Sequence, residues 1–222
     1  MKRRDKPIFI CFVGIDGAGK TTQAKKLSEM LQKRGIRSEY IWNKFEPRLA
    51  APFLKIAKLL FFRRRSIFGN YTEHVRTKRR LLANPVVSTV YQYLWLIDYL
   101  SQIFFKTRMP LIRGKSIVCD RYIYDPIVDL TVDLDYSEKK VAEMLRKTLL
   151  LFPKPDMVFL IDLPEEIAYQ RKDDVPSLDY LKERRKVYLN IAKDGKMILV
   201  DGCGDPAELQ SIIWDKVGDI IK

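Results

Sequence analysis

The sequence predicts an α/β fold, a parallel sheet of five strands covered on both faces by helices. Three observations carry that expectation. Continuous apolar runs such as Phe9-Ile10-Cys11-Phe12-Val13 and Met157-Val158-Phe159-Leu160-Ile161 lack the alternation of a sheet with one wet face. Stretches with apolar residues at helical spacing separate these runs, and Gly or Pro punctuates the connections at Gly35, Gly114, Pro153 and Pro155. The 222 residues, 47% of them hydrophobic, suit one α/β core, so a single domain over 1–222 is expected.

The first strand runs into Gly14-Ile15-Asp16-Gly17-Ala18-Gly19-Lys20-Thr21-Thr22, which carries the G-x-x-x-x-G-K-T spacing of a phosphate-binding loop. Its glycines allow successive backbone N–H groups to curl around a polyphosphate. Gly14, Asp16, Gly17, Ala18, Gly19, Lys20, Thr21 and Thr22 are therefore the candidate nucleotide-binding set. Lys20 would neutralise terminal phosphate charge and Thr21 would offer its hydroxyl to Mg²⁺. A helix expected over about 19–34 would point its positive end at the same anion. A chance match is the bland alternative. The strand in front, and Ala24, Leu27, Met30 and Leu31 at helical spacing behind, count against it.

Ser38 to Asn43 alternates as a second strand would, with Gly35 as the stop of the preceding helix. From Lys44 to Lys115 the chain changes character. Fifteen Lys and Arg stand there against three acids, Glu46, Glu73 and Asp98, so this block holds nearly all of the formal net charge of +13. Helices are expected at about 50–63, 72–83 and 87–107. The last is apolar on more than one face, which fits either a core helix or half of a homodimer interface. Arg76, Arg79 and Arg80 share one helical face and read equally as a clamp for an acceptor phosphate or as a solvated basic face. Contact of residues 44–115 with nucleic acid or an acidic membrane is a weaker alternative to core packing with a basic rim.

Ser116 to Asp120 reads as the third strand, and Ser137 caps a helix reaching Phe152. Met157 to Asp162 is the fourth strand. Helices are expected at about 164–171 and 178–193 around a polar loop, then a strand from Lys196 to Asp201 and a last helix from Pro206 to Ile221. In parallel sheets ligands bind beyond the carboxyl ends of the strands, which collects the phosphate loop, Asp120-Arg121-Tyr122 and Asp162. The basic start MKRRDKP leads into only a short apolar run, and no apolar stretch reaches the roughly 18 residues of a membrane span, so a cytoplasmic protein is expected. Cys11 and Cys119 lie within strand-like runs and read as buried thiols.

GIDGAGKTTQ, PLIRGKSIVCDRY, PDMVFLIDLPEEIAYQRK and DYLKERRKVYLNIA, in this order, resemble the thymidylate kinase family of nucleoside monophosphate kinases. The resemblance spans nearly the whole chain. It implies the three-layer P-loop NTPase fold, ATP as donor, Mg²⁺, and transfer to a nucleoside monophosphate, with dTMP the expected acceptor. It also implies roles. Asp16 would lie near the acceptor's sugar, Asp120 would support the metal shell, and Arg121, beside Tyr122, would bridge donor and acceptor phosphates. Residues 171–177 correspond to the family's lid, with Arg171 and Lys172 as candidate transition-state cations. Arg76 and Arg80 are the candidate acceptor-side arginines.

The chain also departs from the family pattern. Val13 stands where Glu is usual and Tyr99 where an arginine usually follows the aspartate, and after the DRY the usual Ser and the later Tyr-Gln are absent, with Asp125 and then Val128-Asp129 in the neighbourhood. A related kinase with another acceptor, or an ATP-binding protein acting through its basic block, remain alternatives. Asp162 reads as a strand-end cap, Arg184 and Arg185 as solvated or, for one of them, as folded toward the lid, and Asp120-Arg121 alternatively as a structural ion pair.

Overall fold

The computed structural model describes residues 6–44, 85–193 and 196–221, and elements are numbered over these. β1 (Phe9–Val13) leads through the phosphate loop to α1 (Lys20–Lys33) and β2 (Ser38–Trp42). α2 (Pro85–Ile103) passes through a π-helical stretch, Phe104–Arg108, into the short α3 (Met109–Ile112). β3 (Ser116–Asp120), α4 (Tyr124–Leu134), α5 (Glu138–Leu151) and β4 (Met157–Asp162) follow. α6 (Glu165–Gln170), α7 (Leu178–Ala192), β5 (Ile198–Asp201) and α8 (Pro206–Ile221) complete the order. The helices expected at 50–63 and 72–83 lie outside the described residues.

All five strands pair in parallel in the order β2-β3-β1-β4-β5, the sheet the sequence predicts. Every residue of β1 and β3 is buried, so both faces of the sheet centre are covered. Two aromatic contacts bind β1 to its surroundings. Phe12 stacks on Phe159 of β4 at 5.3 Å, and Phe9 meets Tyr122 edge-on at 5.0 Å. At the amino end, Phe9 N–H donates to Asp156 Oδ2 at 2.8 Å while Asp156 N–H donates to Phe9 O at 2.7 Å. That reciprocal pair pins the β1–β4 register, and so sets β1 and β4 level at the opposite, functional end.

Two elements differ from expectation. α4 is not among the expected helices: Pro126 and the β-branched Ile127, Val128, Thr131 and Val132 are weak helix formers, and packing that buries nine of its eleven residues overrides them. The long helix expected to end near 107 runs on as a π-helical stretch and α3 to Ile112. Pro110 cannot donate to the helix ladder, and the chain widens ahead of it instead of stopping. Among the described residues no helix is long and apolar enough to cross a membrane.

Gly14 shows how tightly the loop is set against the sheet. Its φ is +135°, and a Cβ there would stand 2.5 Å from the carbonyl oxygen of Ile161. Gly19 also has a left-handed backbone, at φ +90°, but a Cβ there would meet nothing within 4 Å. Gly14→Ala is therefore expected to lower unfolding free energy by about 2 kcal/mol or more, and Gly19→Ala by less. Urea denaturation of the two variants beside the wild type checks the difference.

Candidate active site

The loop between β1 and α1 is built for an anion. Gly14, Gly17 and Gly19 all have positive φ, which only glycine adopts without strain. α1 starts with no side-chain cap at Gly19 and no acid in its first turn, so its first N–H groups keep their capacity for a ligand. Lys20 is 4% exposed and its Nζ donates to Ile15 O at 2.7 Å. Burial lowers its pKa to about 8, and the nearby Arg121 charge pushes the same way against Asp125, Asp16 and Asp120. The predicted Ala18 is buried in the loop, while Thr21 and Thr22 are exposed on the first turn of α1.

Asp120, the last residue of β3, is fully buried. Its Oδ2 accepts from Thr21 Oγ1 at 2.5 Å and from the Tyr40 hydroxyl at 3.1 Å. Its Oδ1 is buried with no hydrogen-bond partner among the described residues. An orphaned carboxylate oxygen inside a phosphate site costs free energy unless a water or a cation meets it. This donor set, carboxylate plus hydroxyl, is of the hard oxygen type that Mg²⁺ and its waters take.

Arg121 follows immediately and turns away from Asp120. Its φ of 71° is left-handed, an uncommon conformation for a non-glycine residue. Nη2 donates to Asp16 Oδ1 in the phosphate loop, and Nη1 to Asp125 Oδ1 in α4 at 3.2 Å. Asp125 Oδ2 accepts from Tyr122 N–H at 3.2 Å, and the buried Tyr188 of α7 hydrogen-bonds to the same carboxyl. The reading of Asp120-Arg121 as an ion pair is thus corrected: the pair's charges meet other partners.

The two carboxyls on this guanidinium behave differently. Burial dominates at Asp125 and raises its pKa despite Arg121 and Lys20. Burial also opposes the charge of Asp16, but Arg121 and Lys20 outweigh it and hold that carboxyl below the usual range. Arg121 itself is driven towards neutrality by burial and held protonated by Asp125 and Asp16, with a net rise in pKa.

Other expected residues are placed differently. Tyr122, expected at the acceptor, is sealed in the core with its hydroxyl donating to Pro153 O at 2.8 Å, so only its backbone belongs to the site. Arg171 is exposed, with Nη1 3.5 Å from Gly202 O. Lys172 pairs with Asp174 at 3.2 Å, and its charge also acts on Asp16 in the phosphate loop. Arg76, Arg79 and Arg80, and most of the basic block, lie outside the described residues. Arg185 is not a solvated cation: it grips Asp162 through Nε at 2.7 Å and Nη2 at 3.0 Å, and Glu165 through Nη1 at 2.8 Å. Arg184 pairs with Asp129 at 2.9 Å and covers the Tyr180 ring at 3.6 Å. The helical pattern hides both, because it does not show which neighbours α7 meets.

Tyr40, Asp125 and Tyr188 were missed as site residues. Asp125 left one signal, its position four residues after Arg121. Tyr40 and Tyr188 left none, being brought in by sheet register and helix packing.

Comparison with known proteins gives one consistent result. The profile of a family described as thymidylate kinase matches residues 77–213. A probable thymidylate kinase of Sulfurisphaera tokodaii is 30% identical over 216 residues, covering 91% of this chain and 92% of that one. The thymidylate kinase of Leptospira borgpetersenii is 30% identical over 213 residues, covering 92% and 90%. A probable thymidylate kinase of Methanocaldococcus jannaschii is 28% identical over 197 residues, covering 87% and 86%.

The buried ammonium of Lys20 is expected to make triphosphate binding pH-dependent. Phosphate charge favours protonated lysine, so affinity for a non-hydrolysable ATP analogue is expected to be full below about pH 8 and to fall as pH rises above it. The limit is about tenfold per pH unit. Calorimetric titration from about pH 7 to about pH 9.5 checks this, with Lys20→Arg, which stays charged, expected to flatten the profile.

Proposed function

The chain belongs to the thymidylate kinase family, and from that premise we propose that it transfers the γ-phosphoryl group of ATP to dTMP, giving ADP and dTDP. The observation that carries the proposal is the convergence of two neighbouring residues of opposite charge on the phosphate loop. Asp120 reaches Thr21 and Arg121 reaches Asp16, so the end of β3 is tied to the loop at both its metal side and its acceptor side. Phosphoryl transfer needs little covalent help from a protein. Positioning, charge neutralisation and exclusion of water supply most of it.

In this reading the loop N–H groups and the N-terminus of α1 hold the β- and γ-phosphates, and Lys20 leaves Ile15 O to neutralise them. Thr21 and Asp120 are the residues that would hold Mg²⁺ with its waters. The ion, when bound, offsets charge on the β- and γ-oxygens. Arg121 bridges donor and acceptor phosphates. Asp16 and Asp125 keep its guanidinium in place before substrate arrives, and Asp16 stands ready for the acceptor's sugar. Residues 171–177 act as a lid that brings Arg171 to the transferring group and sheds water. Arg76 and Arg80 supply acceptor-phosphate charge where Tyr99 has replaced the family's arginine. The work is that of a nucleotide-pool enzyme in the cytoplasm, and residues 1–222 act as one kinase domain.

We place a homodimer interface on α2 and the π-helical stretch after it. Val90, Tyr93, Ile97 and Phe104, exposed by 52, 63, 51 and 43%, recur at positions that share one helical face. A stripe of that kind left in water favours self-association through a two-fold axis.

The proposal is tested by ADP formation with Mg·ATP against a panel of nucleoside monophosphates. Turnover is expected to be selective for dTMP, and Lys20→Ala or Arg121→Ala to cut it about 100-fold or more. Turnover confined to another monophosphate would reassign the acceptor, and none on any would overturn the kinase reading. Light scattering after gel filtration is expected to show a dimer for the wild type and a monomer for Ile97→Asp, which would put a charge into the stripe.

A further inference from the structure

Tyr40 lies in β2, outside every motif of the sequence, yet its hydroxyl is one of two that converge on a single oxygen of Asp120. Thr21 Oγ1 lies 2.5 Å from Asp120 Oδ2 and the Tyr40 hydroxyl 3.1 Å from it. Two donors on one oxygen fix the plane of the carboxylate and leave Oδ1, buried and without a hydrogen-bond partner among the described residues, with its lone pairs unspent. The phenol is steadied in turn. Sheet register sets Tyr40 beside Val118, two residues before Asp120, and the Lys25 ammonium lies 5.5 Å from the centre of its ring.

We propose that Tyr40 is a positioning residue for the divalent cation of Mg·ATP: by holding Asp120 Oδ2 it presents Oδ1 to the metal's water shell. The inference rests on the kinase reading above, and adds a residue to it from β2, an edge strand that the phosphate-loop pattern does not reach. Hydrogen bonds behind a metal-supporting carboxylate set metal affinity, and their loss costs about 10-fold or more. A tyrosine that only packed would leave metal affinity alone when its hydroxyl was removed.

The test uses Mn²⁺ as probe, with its binding to the full chain followed by electron paramagnetic resonance in the presence of a non-hydrolysable ATP analogue. Tyr40→Phe keeps the ring and removes only the hydroxyl. It is expected to weaken Mn²⁺ binding about 10-fold and to raise the Mg²⁺ needed for half-maximal turnover by a similar factor. Binding of the analogue without metal is expected to stay within about twofold of wild type. Equal Mn²⁺ affinity in Tyr40→Phe and wild type would overturn the positioning role while leaving the kinase reading standing. An equal loss of metal-free analogue binding would also overturn it, as damage to the loop. If the wild type bound no Mn²⁺ with the analogue, the metal site of the kinase reading would fall, and this inference with it.

Discussion

The guanidinium of Arg121 is the interaction on which the rest of the site depends. It joins Asp16, in the loop after β1, to Asp125, in the helix after β3, and so holds two separate connections in one arrangement at the carboxyl end of the sheet. The backbone submits to this. A left-handed φ at a residue with a side chain is costly, and it persists here because carboxylates on two sides determine where the guanidinium lies. The same turn separates Arg121 from Asp120, whose side chain goes to Thr21 and Tyr40. Adjacent residues thus reach two different sets of partners at the carboxyl end of the sheet.

Burial gives the charges their weight. Lys20 and Arg121 face Asp16, Asp120 and Asp125 in a region where water screens little, so each charge is held by its neighbours. Lys20 rests on a loop carbonyl with its pKa lowered to about 8, and Arg121 is compensated by two carboxyls. In the proposed reaction both cations exchange these contacts for phosphate oxygens. The ground-state contacts preorganise the cations, so little rearrangement is left for the moment of transfer. On the far side of β4, Arg185 fastens α7 to Asp162 and Glu165, which fixes the elements on either side of residues 171–177.

The elements whose physics is local could be read from the sequence. The phosphate loop needs glycines where φ is positive, and Gly14, Gly17 and Gly19 advertise it. The buried strands β1, β3 and β4 announce themselves as continuous apolar runs, β2 by its alternation, and Asp120-Arg121 stand where a strand ends. α4 could not be read, because Pro126 and the β-branched Ile127, Val128, Thr131 and Val132 speak against a helix that tertiary packing then enforces. The partners of the charged groups were equally hidden. Tyr40 and Asp120 are 80 residues apart, and Asp16 and Arg121 are 105 apart, so only the parallel register brings them together. Arg184 and Arg185 looked solvated because two adjacent cations on a helix say nothing about the acids that packing will set opposite them.

The central claim is that one continuous phosphate chain runs from the loop after β1 to Arg121. A crystal structure with adenosine and thymidine joined through a pentaphosphate bridge tests it most directly. The adenosine-side phosphates are expected on the loop N–H groups and Lys20, a bridging phosphate on Arg121, and the thymidine sugar beside Asp16. A thymidine half bound away from Asp16 and Arg121, or a phosphate chain lying outside the loop, would contradict it.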